Sequence, residues 1–446
     1  MPSKTLPTIV AQSRAHLVCI VEQLRAQPFV TDWNHVDVSG IDNFTSVLRG
    51  PGFIGDISRW DMSQAQYLDS MFENSLFNGD VSQWDVSNVV SMRSLFEGSK
   101  FNGDVSKWNT ANVVEMAALF SYCPFDGDVS KWNTSKVQNM ASVFKHCPFN
   151  GNLLQWDVSR VTSMERMFDA SGFLGDISLW NTANVQSMAY MFQESPFNGD
   201  ISGWDVRNAR SMRGMFESCT QFNGDISGWD VSGVLDMNSM FHGTKVFNRA
   251  LNNWNTRACT DMGNMFRNSA FNCPLDRWNV ARVKDFSGMF SHGHFRQDIA
   301  AWDVSSATDM SGMFYFGAFD SDVSQWNVRR VDDFSGMFAE YSGLHMVRVD
   351  IADWAIDPNA DLNEVFSDDT LNDAPRPSVY HWLRALEERS VVLKAEWHAH
   401  LQDHTFLVDV IGMAPHEAAH RIHALWKDPR LELVTPSVLP LPSLED

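Results

Sequence analysis

Tryptophan recurs along this chain at a fixed step. Trp60, Trp84, Trp108, Trp132, Trp156, Trp180 and Trp204 are each 24 residues apart; Trp229 and Trp254 follow at 25, and Trp278, Trp302 and Trp326 return to 24. A period of that length, held over so many units, restricts the chain to a stack of short repeats in which each unit contacts its neighbours. The period therefore overrides the division into about three domains that ~150 residues per domain would suggest for 446 residues.

With Trp as position zero, the unit reads Phe at −7, Asn-Gly-Asp at −6 to −4, Ile or Val at −3 and Ser at −2. It continues with Asp or Asn at +1, Val at +5, Met at +8, Met or Leu at +11, Phe at +12 and Ser at +15. The segment 77–99, FNGDVSQWDVSNVVSMRSLFEGS, is close to the consensus. Degenerate units starting at Val36 and Trp354 flank the others, which makes about fourteen coils over residues 29–368. Positions +5, +8, +12 and +15 follow the i, i+3, i+7 spacing of one helical face, so each unit is expected to hold a short α or 3₁₀ helix there. The Asp-Ile-Ser-x-Trp-Asp-Val stretch is β-prone, and the preceding Asn-Gly supplies a turn where φ > 0 is allowed. The expected fold class is thus an α/β solenoid of strand-plus-short-helix coils. No single unit can bury its Phe, Trp and Met alone, and 31 Phe, 22 Met and 17 Trp supply a core only if the coils stack.

These units resemble the BspA-like leucine-rich-repeat family in its short form, MF..S.FN.DI..WDVSNV..M, over about three quarters of the chain. The resemblance implies a right-handed leucine-rich-repeat-type solenoid that recognises a host or neighbouring protein. Members of that family are frequently secreted or surface-attached.

Two further ladders run along the repeat. Cys123, Cys147 and Cys219 all sit at +15, where other units carry Ser75, Ser99, Ser171, Ser195 or Thr244, and read as small reduced core residues. Cys259 replaces the +5 valine, Cys273 takes the turn glycine position, and Cys19 lies near the N-terminus; no CxxC spacing occurs. Asp56, Asp80, Asp104, Asp128, Asp176, Asp200 and Asp225 align at −4. Each can accept backbone N–H bonds in its own turn, or the row can bind calcium as other Asp-rich solenoids do. Asn152, Ala250 and Pro274 interrupt the row, which favours the local bonds, and no cofactor is expected.

Specificity in a solenoid is written at variable positions between fixed ladders. Position −1 varies as Arg59, Gln83, Lys107, Lys131, Gln155, Arg277 and Gln325, and positions +13 and +14 vary as freely, through Lys145-His146 to Tyr315-Phe316. These are the candidate partner-binding residues. A formal net charge of −21 offers no cationic surface for a nucleic-acid backbone or an anionic membrane, so a basic or polar protein surface is the expected partner. No run of 18 apolar residues is present, so no membrane insertion is expected.

The ends read separately. Polar residues from Gln12 to Arg14 and at Glu22 interrupt any signal-peptide core, so the chain is expected to be cytoplasmic or exported by a signal-independent route. Ile9, Val10, Leu17, Ile20, Val21 and Leu24 instead share a helical stripe, so an amphipathic helix over 8–26, within an N-terminal segment 1–28, is expected to cap the stack. Beyond a linker at 369–377, residues 378–446 read as a small α+β domain. There His416, Glu417 and His420 form an HExxH string, the zinc-protease pattern of two His ligands with a Glu general base. The string follows Pro415 in a first helical turn, and Trp426 stands where a metzincin-type third histidine is needed. The reading is therefore a non-enzymatic interaction scaffold, and a zinc-dependent hydrolase targeted by the repeats is the alternative.

Overall fold

The structure is a computed structural model; it describes residues 7–27, 29–317, 319, 321–339, 354–357, 360, 361 and 365. Two compact units divide between Arg249 and Ala250. The linker, the 378–446 domain and its His416, Glu417 and His420 lie outside the described residues.

In the first unit, strand β1 (Ile9–Val10) pairs in parallel with β2 (Val36–Asp37), and helix α1 (Arg14–Arg25) lies between them in sequence. The helix starts at Arg14, not at residue 8. Ser13, in extended conformation at φ −163°, caps it by accepting from the His16 N–H. Ile9 and Val10 are thereby left to the strand, and Leu17, Ile20, Val21 and Leu24 form the buried face.

The coils that follow stack in parallel register. Single-residue bridges join position +7 of each coil to the next, from Asn43 through Tyr67, Ser91, Glu115, Asn139, Ser163, Ser187 and Ser211 to Asp236. In the second unit the same row runs Asp261, Asp285, Asp309, Asp333, Asp361.

The segment from +8 to +15 is where the sequence pattern predicts a helix, and there the structure has a run of turns. Its backbone donors are fully accounted for. In the coil of Trp84, the N–H groups of Met92, Ser94, Phe96 and Gly98 donate to Glu115, Ala117, Leu119 and Ser121 of the next coil at 2.8–3.0 Å. Those of Leu95, Glu97 and Ser99 close three-residue turns on Met92, Ser94 and Phe96. The remaining donor, Arg93 N at +9, bonds Asp69 Oδ1 of the preceding coil at 3.0 Å; in the coil of Trp108 the same position, Ala117 N, bonds the +7 side chain Glu115 Oε1 at 2.7 Å. An i, i+3, i+7 burial pattern fixes which side chains point inward, and alternating turns satisfy it as well as a helix does.

The stretch leading into each Trp is likewise a turn, not a strand: Trp84 N donates to Val81 O at 3.1 Å. The Asn-Gly glycines are not left-handed. Gly79, Gly103 and Gly127 are needed because a Cβ would lie 2.6–2.8 Å from the ring of Phe77, Phe101 or Phe125, two residues earlier.

Aromatic ladders fill the interior. The +12 ring of one coil stacks on the −7 ring of the next, as in Phe96–Phe101 and Phe120–Phe125, both at 3.8 Å between centroids. Trp108, Trp132 and Trp156 stack at 6.2 and 6.4 Å. Within each unit, the indole N–H of one repeat tryptophan donates to the −3 carbonyl of the preceding coil, as Trp132 Nε1 does to Val105 O at 3.0 Å. The tryptophan step is therefore a hydrogen-bond step as well as a packing step.

Candidate recognition face

In the described turn runs of the Trp-centred coils, the residues at +8, +11, +12 and +15 are buried, and the outward side chains come from +9, +10, +13 and +14, where some residues such as Ser94, Ala117, Ser121 and Asp169 are buried as well. Positions +10 and +14 hold left-handed backbone, a conformation that costs an L-residue roughly 1–2 kcal/mol. Small residues fill many of these slots, such as Ser94 (φ 54°), Ala118 (φ 56°) and Gly312 (φ 57°). Large ones occupy others: Tyr122 (φ 54°), His146 (φ 48°), Arg166 (φ 55°), Tyr190 (φ 57°) and Phe316 (φ 51°).

In the first unit these large side chains form one continuous patch. Tyr122 and His146 stack at 4.5 Å, and Lys145 Nζ lies 5.6 Å from the Tyr122 ring centre. Lys145 and Arg166 both reach the buried Asp169 carboxylate, at 3.4 and 2.8 Å. The Arg166 guanidinium covers the Tyr190 ring at 4.1 Å, and Arg213 Nε donates to the Tyr190 hydroxyl at 3.1 Å. Aromatic and arginine side chains held this way are the residue types that dominate protein–protein hot spots. In the second unit, the His292 and Phe316 rings stack at 5.0 Å beside Tyr315.

The structure places the other candidates apart from this patch. Arg59, Gln83, Lys107, Lys131, Gln155, Arg277 and Gln325 are all exposed on the −1 row. Among the described residues, no hydrogen bond, ion pair or ring contact joins them to the +13/+14 row. Tyr315 and Phe316 do lie on the turn face. Sequence reading missed position +10, because a helix would give that position no special role. Its one visible signal is glycine at Gly214, Gly288, Gly312 and Gly336, each with positive φ.

The Asp row at −4 is occupied locally. Asp80 Oδ1 accepts from Ser82 N at 2.9 Å, and Asn152 Oδ1 takes the same bond from Leu154 N at 3.0 Å. The Ser106 hydroxyl and then the Ser106 N–H hold Asp104 below the ordinary carboxylate value of 3.8, and Ser130 does the same for Asp128. For Asp176 and Asp200 the backbone N–H is the larger cause and the serine hydroxyl the smaller. No group of three or more His, Cys, Asp or Glu that could hold a metal occurs among the described residues. A depressed carboxylate contributes stability that is present above its unfolded value and lost as pH falls through the folded one. Asp285, raised by burial and then by Asp261 and Asp309 beside it, works in the opposite sense, but alone against many. The melting temperature is therefore expected to hold from pH 7 to about 5 and to fall steadily below about 4. A flat profile to pH 3 would contradict these turn bonds.

All six cysteines are free thiols. Burial pushes Cys123 up to about 11 and Cys147 and Cys219 up to about 12, so none is a nucleophile at neutral pH. The Cys123 and Cys147 thiols instead donate to Phe101 O and Phe125 O at 3.0 and 3.1 Å. No described helix is long and apolar enough to cross a membrane.

Four stretches of the chain, 21–126, 99–196, 191–294 and 267–375, match the family described as "Mycoplasma protein of unknown function, DUF285". The chain belongs to the DUF285 family. The four matches overlap and together run from residue 21 to residue 375, so the family's repeat covers the whole stack. Each DUF285 match spans roughly four of the 24-residue coils, so the family's unit is a block of coils. No curated protein and no solved structure matches the chain.

Proposed function

We propose that this DUF285 repeat protein is a non-enzymatic recognition scaffold: a solenoid of the BspA-like, leucine-rich-repeat-like kind that binds a partner protein through its turn face. The observation that carries this reading is the set of bulky residues at left-handed positions. The fold accepts serine, alanine or glycine there in neighbouring coils, so Tyr122, His146, Arg166 and Tyr190 contribute nothing the backbone needs. Side chains kept at such a cost on an otherwise uniform surface belong to a site used for binding. The uniform hydrogen-bond ladder beneath them supplies a rigid platform, which limits the ordering entropy lost on association.

The expected result separates binding from stability. Replacing Tyr122 and His146 together by glycine should leave the melting temperature within a few degrees of the parent, since relief of left-handed strain offsets the lost stacking. The same change should abolish partner capture. Capture is read with a photo-crosslinking amino acid placed at Arg213 or Phe316 on the turn face, and at Gln83 on the −1 row, in extracts of the source cells. Adducts from the turn face that vanish in the double glycine variant support the proposal. Adducts from Gln83 alone, or from none of the three, overturn it. Deleting residues 375–446 should leave the adducts unchanged.

A further inference from the structure

Four Lys or Arg side chains stand between +10 and +14 of the described coils, and three of them are paired with acids. Arg49 meets Glu73 at 2.6 Å, and Lys145 and Arg166 share Asp169. The fourth, Arg267, meets no carboxylate among the described residues; its Nη1 donates to Asn264 Oδ1 at 3.2 Å. Most of the guanidinium fork is thus available to an incoming acceptor.

Arg267 closes one end of a hollow of about 310 Å³, and Tyr315 closes the other, two coils further on. Two coil steps amount to roughly 10 Å at the ~4.8 Å spacing of paired strands. The floor is bare backbone, because Gly288 and Gly312 occupy the +10 slots that Arg166 and Tyr190 fill in the first unit. A Cβ on Gly288 would come within 2.5 Å of Asn264 Oδ1 and 3.8 Å of Arg267 Nη1, so the Asn264 amide lies over that glycine with the guanidinium beside it. A Cβ on Gly312 would meet only Tyr315 Cβ, at 3.6 Å, so the middle of the hollow is open. On its wall, Ser311 Oγ gives its proton to Asp309 at 2.7 Å and keeps its lone pairs for an incoming donor.

The charge around the hollow narrows the ligand further. Asp261, Asp285, Asp309 and Asp333 form the neighbouring +7 row. A dianionic phosphate would be repelled by that row, whereas a single carboxylate on the fork, with cations beside it, satisfies both. We propose that this hollow receives a segment of the partner protein that carries one Asp or Glu side chain flanked by Lys or Arg. Its carboxylate sits on Arg267, its chain crosses Gly288 and Gly312 toward Tyr315, and its cations face the Asp row. The assignment rests on the recognition reading above and names the chemistry of the partner at one site.

The test uses the full chain and two synthetic peptides, acetyl-KKEKK-amide and acetyl-KKQKK-amide, titrated by calorimetry at about 0.15 M salt, where attraction between distant charges is largely screened. General attraction to a chain of net charge −21 favours the glutamine peptide, which lacks the glutamate's negative charge. The hollow favours the glutamate peptide, by about tenfold. Arg267→Ala should reverse the order. Gly312→Tyr should also erase the preference while the protein stays folded, because Tyr190 occupies the same slot at the same φ in the first unit. Equal or tighter binding of the glutamine peptide to the unaltered chain, or a glutamate preference that survives Arg267→Ala, overturns the assignment. If the preference fails while crosslinks from the turn face persist, this site falls and the recognition reading stands; if both fail, both fall.

Discussion

Trp132→Ala should destabilise the first unit by about 3–5 kcal/mol, the range for deleting a large buried aromatic. The indole is 3% exposed and lies between Trp108 and Trp156, with the Phe120 ring 6.2 Å away. Its removal opens a cavity that rigid ladders on both sides cannot collapse into, and it deletes the Nε1–H bond to Val105 O. Trp132→Phe separates the two contributions. A ring remains to stack, the hydrogen bond is gone, and the loss should be nearer 1–2 kcal/mol. Because each coil contacts only its neighbours, the damage should be local, with amide protection lost around Trp132 before it is lost at Trp60. Denaturant titration with hydrogen exchange reads both outcomes. Alanine and phenylalanine variants of equal stability would show that the indole ladder is not the spine of the stack.

Replacing both Leu17 and Ile20 by aspartate should unfold the first coil. Both side chains are at most 4% exposed on the buried face of α1, and a charge there costs several kcal/mol without a partner. The helix also covers the open edge of the ladder. Carbonyls at +9 and +13 of each coil accept from the coil before, and the first coil has none before it. Arg14 supplies the missing donor to Thr45 O, from Nε at 3.1 Å and also from Nη2, and Arg25 Nη2 supplies it to Arg49 O at 2.9 Å. With the helix displaced, both carbonyls return to water. Protection should then vanish at Ser46 and Leu48 while Trp132 keeps its own. Arg25→Ala, which leaves the helix packed, should cost only about 1–2 kcal/mol. Unchanged protection at Ser46 in the double aspartate variant would remove α1 from any capping role.

The inward-facing residues were legible in the sequence because burial and period are properties of side chains. Every Trp from Trp60 to Trp326 is buried as the 24-residue step demands, and Cys123, Cys147 and Cys219 share one buried slot. The path of the backbone between those residues was not legible. Ser94, Ala118 and Tyr190 are left-handed with no glycine to announce it, since the inter-coil bonds of the ladder impose that conformation against local preference. Asn-Gly suggested a left-handed turn and was instead a matter of room above the Phe77 ring. Of the candidate site, Tyr315 and Phe316 could be found as variable residues beside a ladder. Arg166, Tyr190 and the glycine floor at Gly288 and Gly312 could not, because their importance depends on knowing that +10 faces outward.

The ladder also has a direction. Between successive coils within each unit, the peptide groups between +7 and +8, +9 and +10, +11 and +12, and +13 and +14 point their N–H toward the following coil and their C=O toward the preceding one. The dipoles of these four groups add along the stacking axis, and the peptide between +6 and +7, whose N–H faces the preceding coil, opposes them. The leading edge of the first unit is therefore electronegative, which is why two guanidinium groups sit on it. Carbonyls cannot bond to carbonyls, so the +9 and +13 positions of two leading edges cannot pair with one another about a two-fold axis. Pairing through these carbonyls is head to tail, an operation that closes into a ring or runs on as a filament. By occupying that edge, Arg14 and Arg25 take up the Thr45 and Arg49 carbonyls through which a further ladder would join.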